Sequence, residues 1–112
     1  MEQNTTTGTI LATDTVGDAV IDTFDRGTVK LGRTTYTVTE SVYRDGRYPS
    51  STYLTGPRGA LYFLRGFLGE DTGLRQVISM GSGNPLRVQG NEVRVFHFGD
   101  HIEVATKPRP IH

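Results

Sequence analysis

Cysteine and tryptophan are both missing from this chain of 112 residues. Without cysteine there is no disulfide staple, no thiol nucleophile and no thiolate-bound zinc, and the composition suits a reducing compartment. No apolar run approaches the ~20 residues of a membrane-spanning helix. The opening stretch, MEQNTTT, is polar and lacks the apolar centre of a signal peptide. A soluble, cytoplasmic protein is expected. Net charge is missing as well: 12 basic residues balance 12 acidic ones. Bulk attraction to duplex nucleic acid or to an anionic membrane is therefore not expected. Lysine is scarce, with only Lys30 and Lys107 against ten arginines. A GC-rich bacterial or phage genome produces that bias, but arginine is also the better residue for bidentate anion contacts and stacking.

Common catalytic motifs are absent too. There is no Walker loop and no dinucleotide fingerprint, and Gly81-Ser82-Gly83 lacks the longer pattern of a nucleophile elbow. Asp71-Thr72-Gly73 matches the short signature of aspartic proteases over three residues only. That site needs an apolar strand running into the aspartate. Gly69 and Glu70 precede it here, so a surface turn is expected. His97 and His101, in HFGDHIE, are the obvious metal candidates. Side chains alternate across a strand, and in the pairing set out below the two imidazoles point to opposite faces and share no ion. No metal, cofactor or catalytic set is expected, and the chain reads as a non-enzyme.

What the chain does have is glycine, 14 of them, with many threonines and short alternating runs between turn signals. That is the pattern of an all-β domain. One domain is expected over 1–112, with 1–6 and 107–112 as tails. Its fold should be a small barrel or a two-sheet sandwich of mainly antiparallel short strands. The densest apolar stretch is 53–67, YLTGPRGALYFLRGF, interrupted by Gly56-Pro57-Arg58-Gly59. A type I turn there, with Pro57 at its second position, pairs Thr55 with Ala60, Leu54 with Leu61 and Tyr53 with Tyr62. Tyr53, Tyr62 and Leu64 then share one face and Leu54, Leu61 and Phe63 the other. Both faces are apolar, so the hairpin should be sandwiched in the core. A short helix over 60–68 is the competing expectation.

Further strands are expected over 7–13, 19–24, 28–31, 34–38 and 74–80, with loops at 14–18 and 68–73. Asp25-Arg26-Gly27 suits a three-residue hairpin loop. A two-residue turn at Gly32-Arg33 puts Val29, Leu31, Tyr36 and Val38 on one face. The polar run 41–51, SVYRDGRYPSS, reads as a long functional loop. Residues 86–104 read as a C-terminal three-stranded meander, because Gly90-Asn91 and Gly99-Asp100 are both hairpin turn pairs. Its first hairpin opposes Val88 to Val93, Arg87 to Arg94 and Leu86 to Val95. Its second opposes His97 to Ile102, Phe96 to Glu103 and Val95 to Val104. Leu86, Val88, Val93, Val95, Ile102 and Val104 then fall on one face.

The other face of the meander is the candidate site. It carries Arg87, Arg94, Phe96 and Phe98. Opposed arginines are unfavourable unless a carboxylate or a ligand anion lies between them. Aromatic rings beside guanidinium groups make a platform for a base or a nucleotide. Arg58 at a turn tip, and Arg47, Tyr43 and Tyr48 in the polar loop, are further candidates for charge and stacking. The first expectation is a non-enzymatic binding module for a compact anionic ligand, a nucleotide or a short single strand of nucleic acid. The alternative is a homo-oligomeric structural or protein-interaction protein, such as a virion component or small phage-borne inhibitor, with the same face as its contact.

Overall fold

In a computed structural model that describes residues 9–66, 73–98 and 101–105, the chain is a succession of antiparallel hairpins. The strands are β1 (Ile10–Val16), β2 (Ala19–Leu31), β3 (Thr34–Tyr43), β4 (Ser51–Thr55), β5 (Leu61–Gly66), β6 (Leu74–Ser79), β7 (Arg87–Val88), β8 (Asn91–Glu92), β9 (Arg94–His97) and β10 (Ile102–Val104). Eight of them form one sheet in the order β1-β2-β3-β4-β5-β6-β9-β10, while β7 and β8 form a separate ribbon. The sheet curls until β10 lies against β2, which makes a half-barrel. The all-β, barrel-like class expected from the residue pattern is what forms. Its core is the concave side, centred on Val29, Leu31, Tyr36, Val38, Leu54, Val77, Val93 and Val95.

The turn at Gly32-Arg33 is the expected one, with Leu31 opposite Thr34 and Val29 opposite Tyr36. Elsewhere the same turn residues act differently. Asp25-Arg26-Gly27 does not reverse the chain. Asp25 pairs with Thr39 and Thr28 with Thr37, so Arg26 and Gly27 together face Val38 as a bulge inside one long strand. Gly27 has φ 88°, the left-handed conformation that a bulge and a hairpin loop both require of glycine. The bulge also changes which parity faces inward along β2. At the start of the chain the strand runs on through Asp14 and Thr15 and turns at Gly17-Asp18, so the expected 14–18 loop is mostly strand. Likewise β3 continues to Tyr43, which shortens the 41–51 loop to 44–50.

The hairpin within 53–67 forms one residue out of the expected register. Thr55 pairs with Leu61, Leu54 with Tyr62 and Tyr53 with Phe63. The reversal is made by Arg58 (φ 60°) and Gly59 (φ 77°), and the Ala60 N–H donates to the Pro57 carbonyl at 3.3 Å. Two left-handed residues give a primed turn, whose twist matches the flanking strands, whereas a type I turn would splay them. An odd change of register exchanges the two faces. Leu54 is therefore fully buried, with Tyr62 and Leu64 against the same core, while Leu61 is 41% exposed. The hairpin has one inner face and is not sandwiched, and β5 replaces the helix weighed for 60–68.

The 86–104 segment is corrected in two respects. Gln89 (φ 54°) and Gly90 (φ 83°) make the first turn, so Arg87 pairs with Glu92 and Val88 with Asn91. That is a shift of two residues, which keeps every side chain on its expected face. Val93 and Val95 are buried, Leu86, Val88 and Ile102 pack on the core, and only Val104, 45% exposed, stands off. Second, β9 pairs with β6, Leu74 opposite Phe96 and Gln76 opposite Arg94, so no three-stranded meander forms. The last hairpin has its expected register, with His97 opposite Ile102 and Val95 opposite Val104. Residues 68–72 of the expected 68–73 loop, Asp71-Thr72 among them, together with Gly99-Asp100 and both tails, lie outside the described residues.

The one-residue register of β4 and β5 has a direct test. Leu54→Ala is expected to cost about 2–5 kcal/mol as a core truncation, and Leu61→Ala about 0.5 kcal/mol or less as a surface change. Chemical denaturation measures both. Similar losses for the two would restore the earlier register.

Candidate functional site

On the outer face of the sheet, Glu92 sits between the two candidate arginines. Its carboxylate lies 3.5 Å from Arg87 Nη2 and 3.6 Å from Arg94 Nη2. The Gln76 amide donates to the same carboxylate at 3.0 Å. That hydrogen bond first, then the two guanidinium charges, hold Glu92 below the usual carboxylate range, so it stays ionised. The two-residue shift of the β7–β8 turn is the cause: it replaces Arg94 by Glu92 opposite Arg87. The expected opposition of Arg87 and Arg94 is thus corrected to a carboxylate-bridged trio.

Two residues along β9 from Arg94 begins an aromatic strip. The Phe96 and Phe98 rings are 6.2 Å apart, and the His101 ring stacks on Phe98 at 4.9 Å. His101 Nε2 reaches Glu103 Oε2 at 3.1 Å. Phe96 is 36% and Phe98 44% exposed. On its other side Arg94 borders a groove of about 290 Å³, floored by Leu31, Val88, Val93 and Val104.

The remaining candidates lie elsewhere. Arg58 is in the β4–β5 turn, at the end of the sheet that also carries Gly32. Tyr43, Tyr48 and Arg47 lie at the opposite end, in and beside the 44–50 loop. The Tyr43 and Tyr48 rings meet edge-on at 5.0 Å. Arg47 is pinned by Asp45 at 2.7 Å and Asp18 at 2.9 Å, which ties this loop to the β1–β2 turn. The seven residues therefore occupy three places: Arg87, Arg94 and Phe96 share the outer face, Tyr43, Tyr48 and Arg47 lie together in and beside the 44–50 loop, and Arg58 stands apart.

A further polar cluster lies inside the barrel and was not anticipated. Arg26 Nε donates to Glu40 Oε1 at 2.8 Å, with the two side chains only 11% and 10% exposed. Ser50 Oγ donates to the other Glu40 oxygen. Beside them Thr52 Oγ1 and His97 Nε2 are 3.2 Å apart. The bulge at Arg26-Gly27 aims Arg26 inward, and its guanidinium also covers the Phe24 ring at 4.9 Å. A signal for Glu40 was present: it follows Tyr36 and Val38 at the same strand parity. The Arg26 side could not be seen without knowing of the bulge. His97 faces this interior while His101 stacks outside on Phe98. Packing leaves no water-sized space between these groups.

Among the described residues no cluster of three or more histidine and carboxylate side chains is placed to hold a metal ion. Nor is any described helix long and apolar enough to cross a membrane. Comparison with protein-family models, curated proteins and solved structures finds no match.

Burial, with a weaker opposing pull from Glu40, lowers the His97 pKa below its ordinary value. A base with a depressed folded pKa stabilises the fold fully above its unfolded value, about 6.5, and loses that contribution as pH falls through the folded value. Denaturant midpoints should therefore decline as pH drops below about 6.5, and His97→Gln should flatten that decline. An unchanged profile in the variant would remove His97 from the account. The ion pair is tested separately. Arg26→Met alone strands a buried carboxylate and should cost about 3–5 kcal/mol, whereas Arg26→Met with Glu40→Leu should recover most of that loss.

Proposed function

We propose that this protein is a self-associating structural or protein-interaction module, and that the outer face of β9 and β10 is its contact. The observation that carries the reading is the strip of Phe96 and Phe98, adjacent and exposed, beside arginines already met by a carboxylate. Aromatic residues and arginine are the types enriched in protein contacts, and charges paired within one chain are cheaper to bury than free ones. A phosphate at the same place would have to compete with Glu92 for both guanidinium groups. The trio's net charge of about +1 at neutral pH offers little attraction to a polyanion.

Light scattering on wild type, Phe96→Ala and Phe98→Ala tests this. Both variants should lower the molar mass toward the monomer, with folding unchanged. A second reading, binding of a compact anionic ligand such as a nucleotide, is favoured by the groove that Arg94 borders. Calorimetry with nucleotides would then show Arg94→Ala weakening binding by about 1.5–3 kcal/mol, and added salt weakening it further. Nucleotide binding by a wild-type monomer would exchange the two readings.

A further inference from the structure

We infer that β1 is a second association surface, and that its partner is β1 of a second copy, paired antiparallel about Thr13. The inference deepens the self-association reading and rests on it. β1 is one edge of the eight-stranded sheet, and all seven of its residues are exposed. The other edge, β10, has only three residues and lies against β2. Among the described residues β1 is therefore the long open edge.

Its unpaired backbone groups can be placed. Val16 and Ala19 flank the two-residue turn, so they exchange both hydrogen bonds. Bonded pairs alternate along an antiparallel ladder, so Asp14 and Ala12 also bond to β2. The N–H and C=O groups of Thr13 and Thr15 point away from the sheet. Val20, opposite Thr15, follows the same alternation, since its carbonyl accepts from the Arg44 N–H on the β3 side at 2.8 Å. Natural edges are blunted by charge, proline, bulges or shortness. β1 has no lysine or proline; it carries one charge, Asp14, and a bulge at Leu11 that leaves 12–16 regular.

Charge selects the partner. Two β1 strands can bring their outward groups together by opposing Thr13 to Thr13, Thr13 to Thr15 or Thr15 to Thr15. The second choice sets Asp14 directly against Asp14, and like charges so opposed are destabilising. The third sets Thr13 against Gly17 and runs the strand into the turn. The first sets Asp14 against Ala12 and Val16 against Ile10, which are 61% and 49% exposed in one copy. It is two-fold symmetric and closes as a dimer, merging the two sheets into one.

The test uses exposed positions that leave the monomer intact. Ala12→Asp places a carboxylate opposite the partner's Asp14 at two points and should abolish this contact. The double variant Ala12→Asp/Asp14→Lys opposes unlike charges and should restore it. Thermal melts check that all three proteins fold alike. In wild type, amide exchange at Thr13 and Thr15 should slow as concentration rises, and in Ala12→Asp it should not. Exchange at those amides that is independent of concentration in wild type would overturn the inference, as would an Ala12→Asp protein that associates like wild type. If Phe96→Ala and Phe98→Ala lower the molar mass but Ala12→Asp does not, β1 is excluded and the aromatic contact stands. If only Ala12→Asp lowers it, the aromatic face is excluded. A wild-type protein that is monomeric at every concentration overturns both.

Discussion

The interior of the half-barrel is assembled by alternation: Leu31, Val38, Leu54, Val77 and Val95 point inward only because each turn delivers the next strand with the correct parity. The turns achieve this with left-handed residues, Gly17 and Gly32 in the first two hairpins, and the pairs Arg58-Gly59 and Gln89-Gly90 later. Gly32 has a second reason to be glycine. A Cβ there would lie 2.6 Å from Val88 Cγ1, so its absence lets the β7–β8 ribbon close over the β2–β3 turn. The same close approach sets the floor of the groove beside Arg94.

Charge is handled locally wherever it nears the sheet. Asp22, itself buried, accepts from Thr13 Oγ1 at 2.7 Å and from two nitrogens of Arg44 at 2.9 and 3.1 Å. Those partners, Arg44 first, keep its carboxyl below the usual range and fasten β1 and the end of β3 to β2. Glu40 serves the same purpose deeper in, joining the β2 bulge to the residues before β4 through Arg26 and Ser50. A buried pair such as Arg26–Glu40 contributes little net stability but penalises any register that separates it. The contacts of Asp22 and Glu40 hold a long strand, β2, in one alignment with both of its neighbours.

The outer surface follows from this economy of charge. Arg87 and Arg94 are answered by Glu92, and Arg47 by Asp18 and Asp45, within the chain itself. What distinguishes the exterior is then shape and apolar area: the aromatic strip on β9 and the open edge of β1. Contacts built on such surfaces gain their affinity from packing and strand pairing, and their specificity from which charges they avoid opposing.

The sequence by itself determined the all-β class, most strand positions, the inward set Val29, Leu31, Tyr36 and Val38, and the pairing of His97 with Ile102. These depend on period-two alternation and on short turns, both local. It also placed Arg87, Arg94 and Phe96 on one face, because a register error of two residues preserves parity. Tertiary structure decided the rest. Glycine after a polar pair reports a left-handed residue but not whether the chain reverses or bulges, so Asp25-Arg26-Gly27 was ambiguous. Whether Pro57 or Arg58 starts the turn depends on matching the twist of strands already paired. The pairing of β9 with β6 is a non-local choice that no turn encodes. The Arg26–Glu40 pair and the Glu92 bridge both follow from such choices, since a one-residue bulge or a two-residue shift decides which charges meet.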